Sequence, residues 1–252
     1  MKQNAHSDDN EWLSRCEDFE QSVLKYKSVR FSHFVSPHEQ AVFKTQYSLS
    51  PDVKVMPYGG SEDAERVILG FYPDFLELEP WEFPITPLLI FNIGNATHRD
   101  VLGSVLGLGI KREMIGDIYF DGDSAVVMCE KTSADYILYN LRTVGRQKVE
   151  VSVCPEDRTY SLKHEFEIMR VVVSSARLDA VVAAVCRMSR SEASRQIAAE
   201  NVNVNFKTEN NPDKKIVEGD IISVRHKGRF IVENSPGETR KGRIILEIKK
   251  YI

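Results

Sequence analysis

The sequence predicts an α+β protein of three small domains, at about residues 1–86, 87–168 and 169–252. Three observations predict it. A chain of 252 residues exceeds the usual size of one compact unit. Helical and strand periodicities alternate along it in separate blocks. The charge also changes sign: residues 171–252 carry 15 Lys and Arg against 10 Asp and Glu, and residues 1–170 carry 18 against 27. A cationic end on an acidic body points to a polyanionic partner for that end alone.

Composition removes other classes. With 42% hydrophobic and 28% charged residues, the chain has the make-up of a globular protein with a buried core. No apolar run approaches the length of a membrane span, and the first residues lack an apolar signal core, so a cytoplasmic location is expected. Cys16, Cys129, Cys154 and Cys186 form no Cys-x-x-Cys pair. No disulfide framework, metal or cofactor is expected.

In the first segment Trp12, Leu13, Cys16, Phe19, Val23 and Leu24 recur at helical spacing. A second helix starts at Ser36-Pro37-His38-Glu39, with an N-cap, Pro at the first position and Glu three residues after the cap. Val53–Tyr58 and Arg66–Tyr72 are expected as strands flanking Gly59-Gly60. That glycine pair lacks the Lys of a P-loop and is expected to be a turn.

In the second segment a strand at Leu88–Ile93 precedes a helix at Thr97–Gly109. Strands at Gly116–Phe120 and Ala125–Cys129 flank the hairpin turn Asp121-Gly122-Asp123. A helix at Ser133–Val144 and a strand at Val149–Cys154 complete a β-α-β-β-α-β string, the split βαβ or ferredoxin-like order used by RNA-recognition motifs, hence an RRM-like domain. Such motifs stack bases on aromatics of the central strands. The strand Ala125-Val126-Val127-Met128-Cys129 has none, so base stacking there is not expected. Thr97-His98-Arg99-Asp100 has the spacing of a helix cap, a better account than an acid–base pair.

The third segment begins with a strand at Glu167–Val173. Leu178, Val181, Val182 and Val185 then define one apolar helix face. Ser189-Arg190-Ser191-Glu192 starts a second helix with capping-box spacing. Short strands are expected at Val202–Asn205, Lys215–Val217, Ile221–Arg225 and Ile244–Ile248. The candidate RNA-facing residues are Arg177, Arg187, Ser189, Arg190, Ser191, Arg195, Arg225, Lys227 and Arg229. Arg190 and Arg187 bracket the turn between the helices, and the last three flank Gly228. Guanidinium forks match phosphates bidentately, and a helix N-terminus adds unpaired amides. A further cluster, Arg240-Lys241-Gly242-Arg243, follows.

Arg177-Leu178-Asp179, Ser189-Arg190-Ser191-Glu192-Ala193, Val202-Asn203-Val204-Asn205 and Val217-Glu218-Gly219-Asp220-Ile221-Ile222-Ser223-Val224-Arg225 occur in order. Over some eighty residues this resembles the RNA-binding domain first named from ribosomal protein S-four. The resemblance implies RNA-facing positions at Ser189, Arg190, Arg195 and Arg225–Arg229. Phe206 stands where that family usually has Gly, so the turn would rest on Asn205 in the left-handed region. Upstream, Tyr58-Gly59-Gly60, Ala64-Glu65-Arg66, His98-Arg99-Asp100-Val101-Leu102-Gly103-Ser104, Leu108-Gly109-Ile110-Lys111-Arg112 and Gly116-Asp117-Ile118 resemble the bacterial YlmH family. That resemblance implies the three-domain order, rRNA and tRNA as partners on the large ribosomal subunit, and a role in rescue of stalled subunits.

Two other functions compete. Pseudouridine synthases and some rRNA methyltransferases carry S-four type arms, and Arg177-Leu178-Asp179 matches the letters of the synthase's catalytic run. Here it is followed by Ala180-Val181-Val182, inside an apolar helix, so no enzymatic activity is expected. Alternatively, the acidic residues 1–86 serve a protein partner, for instance in cell division.

Overall fold

The computed structural model describes residues 2–155, 166–239 and 242–251. They form six α-helices and several antiparallel sheets, an α+β arrangement. Two compact units are present, Met1–Leu162 and Lys163–Ile252. Among the described residues no helix is long and apolar enough to cross a membrane.

In the first unit, α1 (Lys2–Tyr26) lays Trp12, Cys16 and Val23 on a three-stranded sheet. That sheet has the order β1 (Arg30–Val35), β3 (Val67–Pro73), β2 (Val53–Tyr58). α2 (Pro37–Gln46) starts with the expected capping box, Ser36 and Glu39 exchanging bonds. β1 has no counterpart in the sequence reading. A bulge between Phe31 and Phe34 breaks its alternation, so the period-2 signal of a strand is missing.

β4 (Ile85–Phe91), β5 (Ile115–Asp121), β6 (Ser124–Glu130) and β9 (Glu150–Val153) form a four-stranded sheet, β5-β6-β4-β9. With α3 (His98–Leu106) and α4 (Lys131–Asn140) between strands, the chain follows the expected split βαβ order. Thr97 and Asp100 form the expected capping box. The second helix ends earlier than expected, because Thr143–Val144 (β7) and Gln147–Lys148 (β8) fold into a small hairpin.

The helices cover one face of this sheet, over Leu88, Ile90, Val127 and Cys129. The opposite face is also closed. Leu89, Tyr119, Val126 and Met128 pack against Phe34, Ile68, Leu78 and Phe83 of the preceding segment. Polar links cross the same seam: His33 Nδ1 lies 2.6 Å from Glu130 Oε1, Ser61 Oγ lies 2.9 Å from the Tyr119 hydroxyl, and the Glu65 and Arg66 amides donate to Asp117 Oδ2. Burial pushes the Asp117 carboxyl up, against those two amide bonds. Gly116 lies in this layer, where a Cβ would stand 2.6 Å from the Phe34 ring. Residues 1–86 and the following sheet therefore share one core.

In the second unit, β10 (Phe166–Val173), β15 (Ile244–Tyr251), β14 (Gly228–Glu238), β13 (Ile221–Val224), β11 (Val202–Val204) and β12 (Lys207–Thr208) form one sheet in that order. α5 (Leu178–Val185) and α6 (Arg190–Ala198) pack on it, with the expected face Leu178, Val181, Val182 and Val185 buried beside Ala193 and Ile197. One expectation is corrected. Lys215–Val217 is no strand; only Lys215 makes a bridge, to Arg177. β14 takes the central place instead. It has no counterpart in the sequence reading, and it passes through Asn234-Ser235-Pro236-Gly237 by register shifts.

Candidate nucleic-acid interface

The second unit positions the candidate residues on two helix–strand corners. α5 ends in a Schellman-type cap: the Met188 amide donates to Ala183 O and the Arg187 amide to Ala184 O. This places Arg187 in the left-handed region at φ 52, a position that favours glycine. Ser189 caps α6, accepting the Glu192 amide at 3.2 Å, and its hydroxyl lies 3.0 Å from Ser191 Oγ. Arg187, Ser189, Arg190, Ser191 and Arg195 are all exposed.

The β13–β14 turn lies beside this corner. Lys227 is near enough to Cys186 to oppose, electrostatically, the burial that pushes the thiol up to about 11. The Arg225 amide donates to Asn201 O, joining the turn to the end of α6. Arg225 and Arg229 line a groove of about 460 Å³ with Asn201, Asn203, Ser223 and His226. The Arg229 guanidinium stands over two rings, 5.4 Å from the Phe206 centroid and 5.2 Å from Tyr251. Asn205 and Phe206 both have positive φ, 51 and 66, and close the β11–β12 hairpin as a primed turn. Phe206 thus occupies the place expected for Gly and supports a groove cation.

Arg177 and Arg190 are differently employed. Both donate to Asp179, Arg190 Nη2 at 2.6 Å and Arg177 at 3.2 Å, and Arg177 also bonds Asp213. Asp179 is only 4% exposed. Burial works to raise its carboxyl, but the two guanidiniums outweigh it and hold the group below its ordinary value. Arg190 also lines a smaller cleft of about 300 Å³ with Arg243, Met188 and Val172. Arg240 and Lys241, expected in that cluster, lie outside the described residues.

By contrast, Arg187, Arg195, Arg225 and Lys227 make no ion pair among the described residues, whereas Arg170, Lys214, Lys249 and Lys250 each have a carboxylate partner. The arrangement offers phosphate oxygens four uncommitted cations and a groove with amide side chains. Sequence reading missed Asn201, Asn203 and the ring stack on Arg229. No spacing signals that stack, since Tyr251 reaches Arg229 only across the β14–β15 pairing.

The upstream motif residues meet at the seam of the first unit. Arg66 Nη2 donates to Phe34 O at 2.8 Å and Nε to Ile115 O at 3.0 Å, and Arg112 also donates to Ile115 O. Burial, and then Arg66, lower the Arg112 pKa to about 10. Burial and Arg112 lower that of His98. A Cβ on Gly59 would lie 2.4 Å from Arg66 O. These residues hold the β2–β3 loop against β5.

Residues 92–158 match the family model described as "Putative RNA-binding domain in YlmH". Over 245 residues the chain is 27% identical to the Ribosome-associated protein quality control protein P2 of Bacillus subtilis (strain 168), covering 95% of this chain and 94% of that protein. Its fold is similar to that of the cell division protein ylmH from Streptococcus pneumoniae, with a TM-score of 0.51, 23% identity, and coverage of 59% of this chain and 92% of that one.

Proposed function

We propose that the chain is a YlmH-family protein whose last domain, residues 169–252, is an S-four type RNA-binding module, and that it acts as a non-enzymatic factor docking on structured rRNA or tRNA. The observation that carries this reading is the set Arg187, Arg195, Arg225 and Lys227, exposed and without ion pairs among the described residues. Such a surface reads phosphates and shape more than base identity. Residues 1–86 and the RRM-like segment 87–168 then serve as a body that carries the module. Association with the ribosome is supported by the name of the Bacillus subtilis relative, a ribosome-associated quality control protein; the large subunit as the docking place, and rescue of stalled subunits as the occasion, follow from the resemblance to the YlmH family. A non-enzymatic role is favoured by the place of Asp179: its side chain is buried in the first turn of α5 and bonded by Arg177 and Arg190, not open to a substrate.

The test is RNA affinity against salt concentration for wild type and Arg195→Ala/Arg225→Ala. Arg190 is avoided because it also holds Asp179. Losing two phosphate contacts should flatten the log–log salt slope by roughly 1.8 on duplex RNA, taking the B-DNA value as a guide. Crosslinks to large-subunit rRNA or tRNA should weaken in parallel. An unchanged slope and affinity would remove this surface from the reading.

A second reading, a protein partner held by residues 1–86, is favoured by one loop. Phe75 and Trp81 are 66% and 79% exposed, while Leu78 and Phe83 pin the same loop into the core. Asp74, Glu77, Glu79 and Glu82 alternate with the rings along the loop, which suits a basic protein segment and repels RNA. Trp81→Ala should abolish RNA-independent partner binding by the full chain; retention would discard the loop.

A further inference from the structure

If the segment matched as an RNA-binding domain touches RNA, it cannot do so as RNA-recognition motifs do. Their bases stack on the sheet face left open opposite the helices. Here that face is the shared core: Leu89 is 3%, Tyr119 6%, Val126 2% and Met128 1% exposed, under Phe34, Ile68 and Phe83. The contact surface must lie elsewhere on the segment.

One surface has the chemistry. α4 buries Ser133, Ala134 and Ile137 and turns Thr132, Tyr136, Tyr139 and Asn140 outward at helical spacing. Tyr136 is 51% and Tyr139 67% exposed. Among the described residues neither hydroxyl has a partner, whereas a buried Tyr usually finds one. Immediately after the helix, Leu141 is buried and Arg142 is exposed. The β7–β8 hairpin then displays Arg146 and Lys148, tied back by the Gly145 amide on Ser104 Oγ and the Val149 amide on Arg142 O. Arg142, Arg146 and Lys148 make no ion pair among the described residues. From Lys131 to Lys148 there are four cations and one carboxylate, Asp135, inside a body where residues 1–170 are net acidic.

We infer that α4 and the β7–β8 hairpin form a second RNA contact, one that binds single-stranded RNA by stacking bases on Tyr136 and Tyr139 while Arg142, Arg146 and Lys148 hold the backbone. Paired rings and a short cationic track are what sequence-tolerant single-strand binding requires. The inference rests on the reading of the chain as an RNA-binding protein, but not on the placement of the C-terminal surface. A protein partner fits less well, because the outward face has the two rings amid polar and charged groups and no apolar patch between them.

The experiment measures fluorescence anisotropy of a labelled ten-nucleotide oligouridine with the full chain. Tyr136→Ala/Tyr139→Ala should lose tenfold or more in affinity, the scale set by base–aromatic stacking. Tyr136→Phe/Tyr139→Phe keeps the rings and should bind nearly as wild type. Arg195→Ala/Arg225→Ala should retain oligouridine binding even while losing folded RNA, which separates this surface from the C-terminal one. All four side chains changed, Tyr136, Tyr139, Arg195 and Arg225, are exposed, so loss of folding is not the expected cause. The inference is overturned if the alanine pair binds oligouridine like wild type, if the phenylalanine pair fails as badly as the alanine pair, or if wild type does not bind the oligomer. It is equally overturned if the alanine pair keeps RNA affinity and loses a protein partner instead.

Discussion

Asp179 illustrates how one side chain redirects its neighbours. Sequence spacing marked Arg177 and Arg190 as free cations, and it had no means of showing that a carboxylate between them in space would engage both. The buried Asp179 carboxyl lies below its ordinary value of 3.8. Its contribution to stability is therefore complete above that pH and is lost as pH falls through the lowered folded value. Asp179→Asn should cost about 1–3 kcal/mol at neutral pH, at the low end for a broken buried pair because both guanidiniums reach solvent. Denaturant unfolding of the variant should also lose part of the wild-type decline below about pH 4. Arg187 makes the opposite case. It holds a left-handed position that suits glycine, at a cost of about 1 kcal/mol. Arg187→Gly should raise the melting temperature while weakening RNA binding, a pairing that thermal unfolding and binding titration together would check. A variant that is neither more stable nor weaker in binding would show that Arg187 has no such function.

At the scale of elements, legibility followed local chemistry. The capping boxes at Ser36 and Thr97 and the apolar face of α5 depend on neighbours within a turn or two, and each forms as read. β1 and β14 were missed because their ladders are broken by bulges that only the partner strand reveals. The run Val126-Val127-Met128-Cys129 carries the signal of its own closure: a strand apolar on both faces is buried on both faces. β6 is buried at every position from Ala125 to Glu130. The closeness of the two sheets is set partly by Gly116, whose lack of a Cβ leaves room for Phe34 and Met128. Gly116→Ala should destabilise the first unit by about 1–3 kcal/mol through overpacking, visible as a shifted denaturant midpoint with the second unit's unfolding unchanged.

For the whole molecule, the two compact units have separate cores and should behave separately. A fragment of residues 163–252 retains all of the second core and should unfold cooperatively by itself. A fragment of residues 87–162 should not be independent. It would expose Leu89, Tyr119, Val126 and Met128 together, and should bind hydrophobic dye or aggregate; a well-dispersed, cooperatively folded fragment would count against the shared core. How much of the candidate RNA-facing surface was legible follows the same division. Arg195, Arg225 and Lys227 were read correctly as exposed cations because exposure follows from a polar helix face and a turn. The closed face of the central sheet was not legible, because it depends on Phe34, Ile68, Leu78 and Phe83 of the preceding segment, which no local pattern ties to it. That closure also sets a clock. Amides of Leu88–Ile90 and Ala125–Met128 sit in central strands roofed on both sides. In deuterium they should be the last of the first unit to exchange, opening only when the entire unit does.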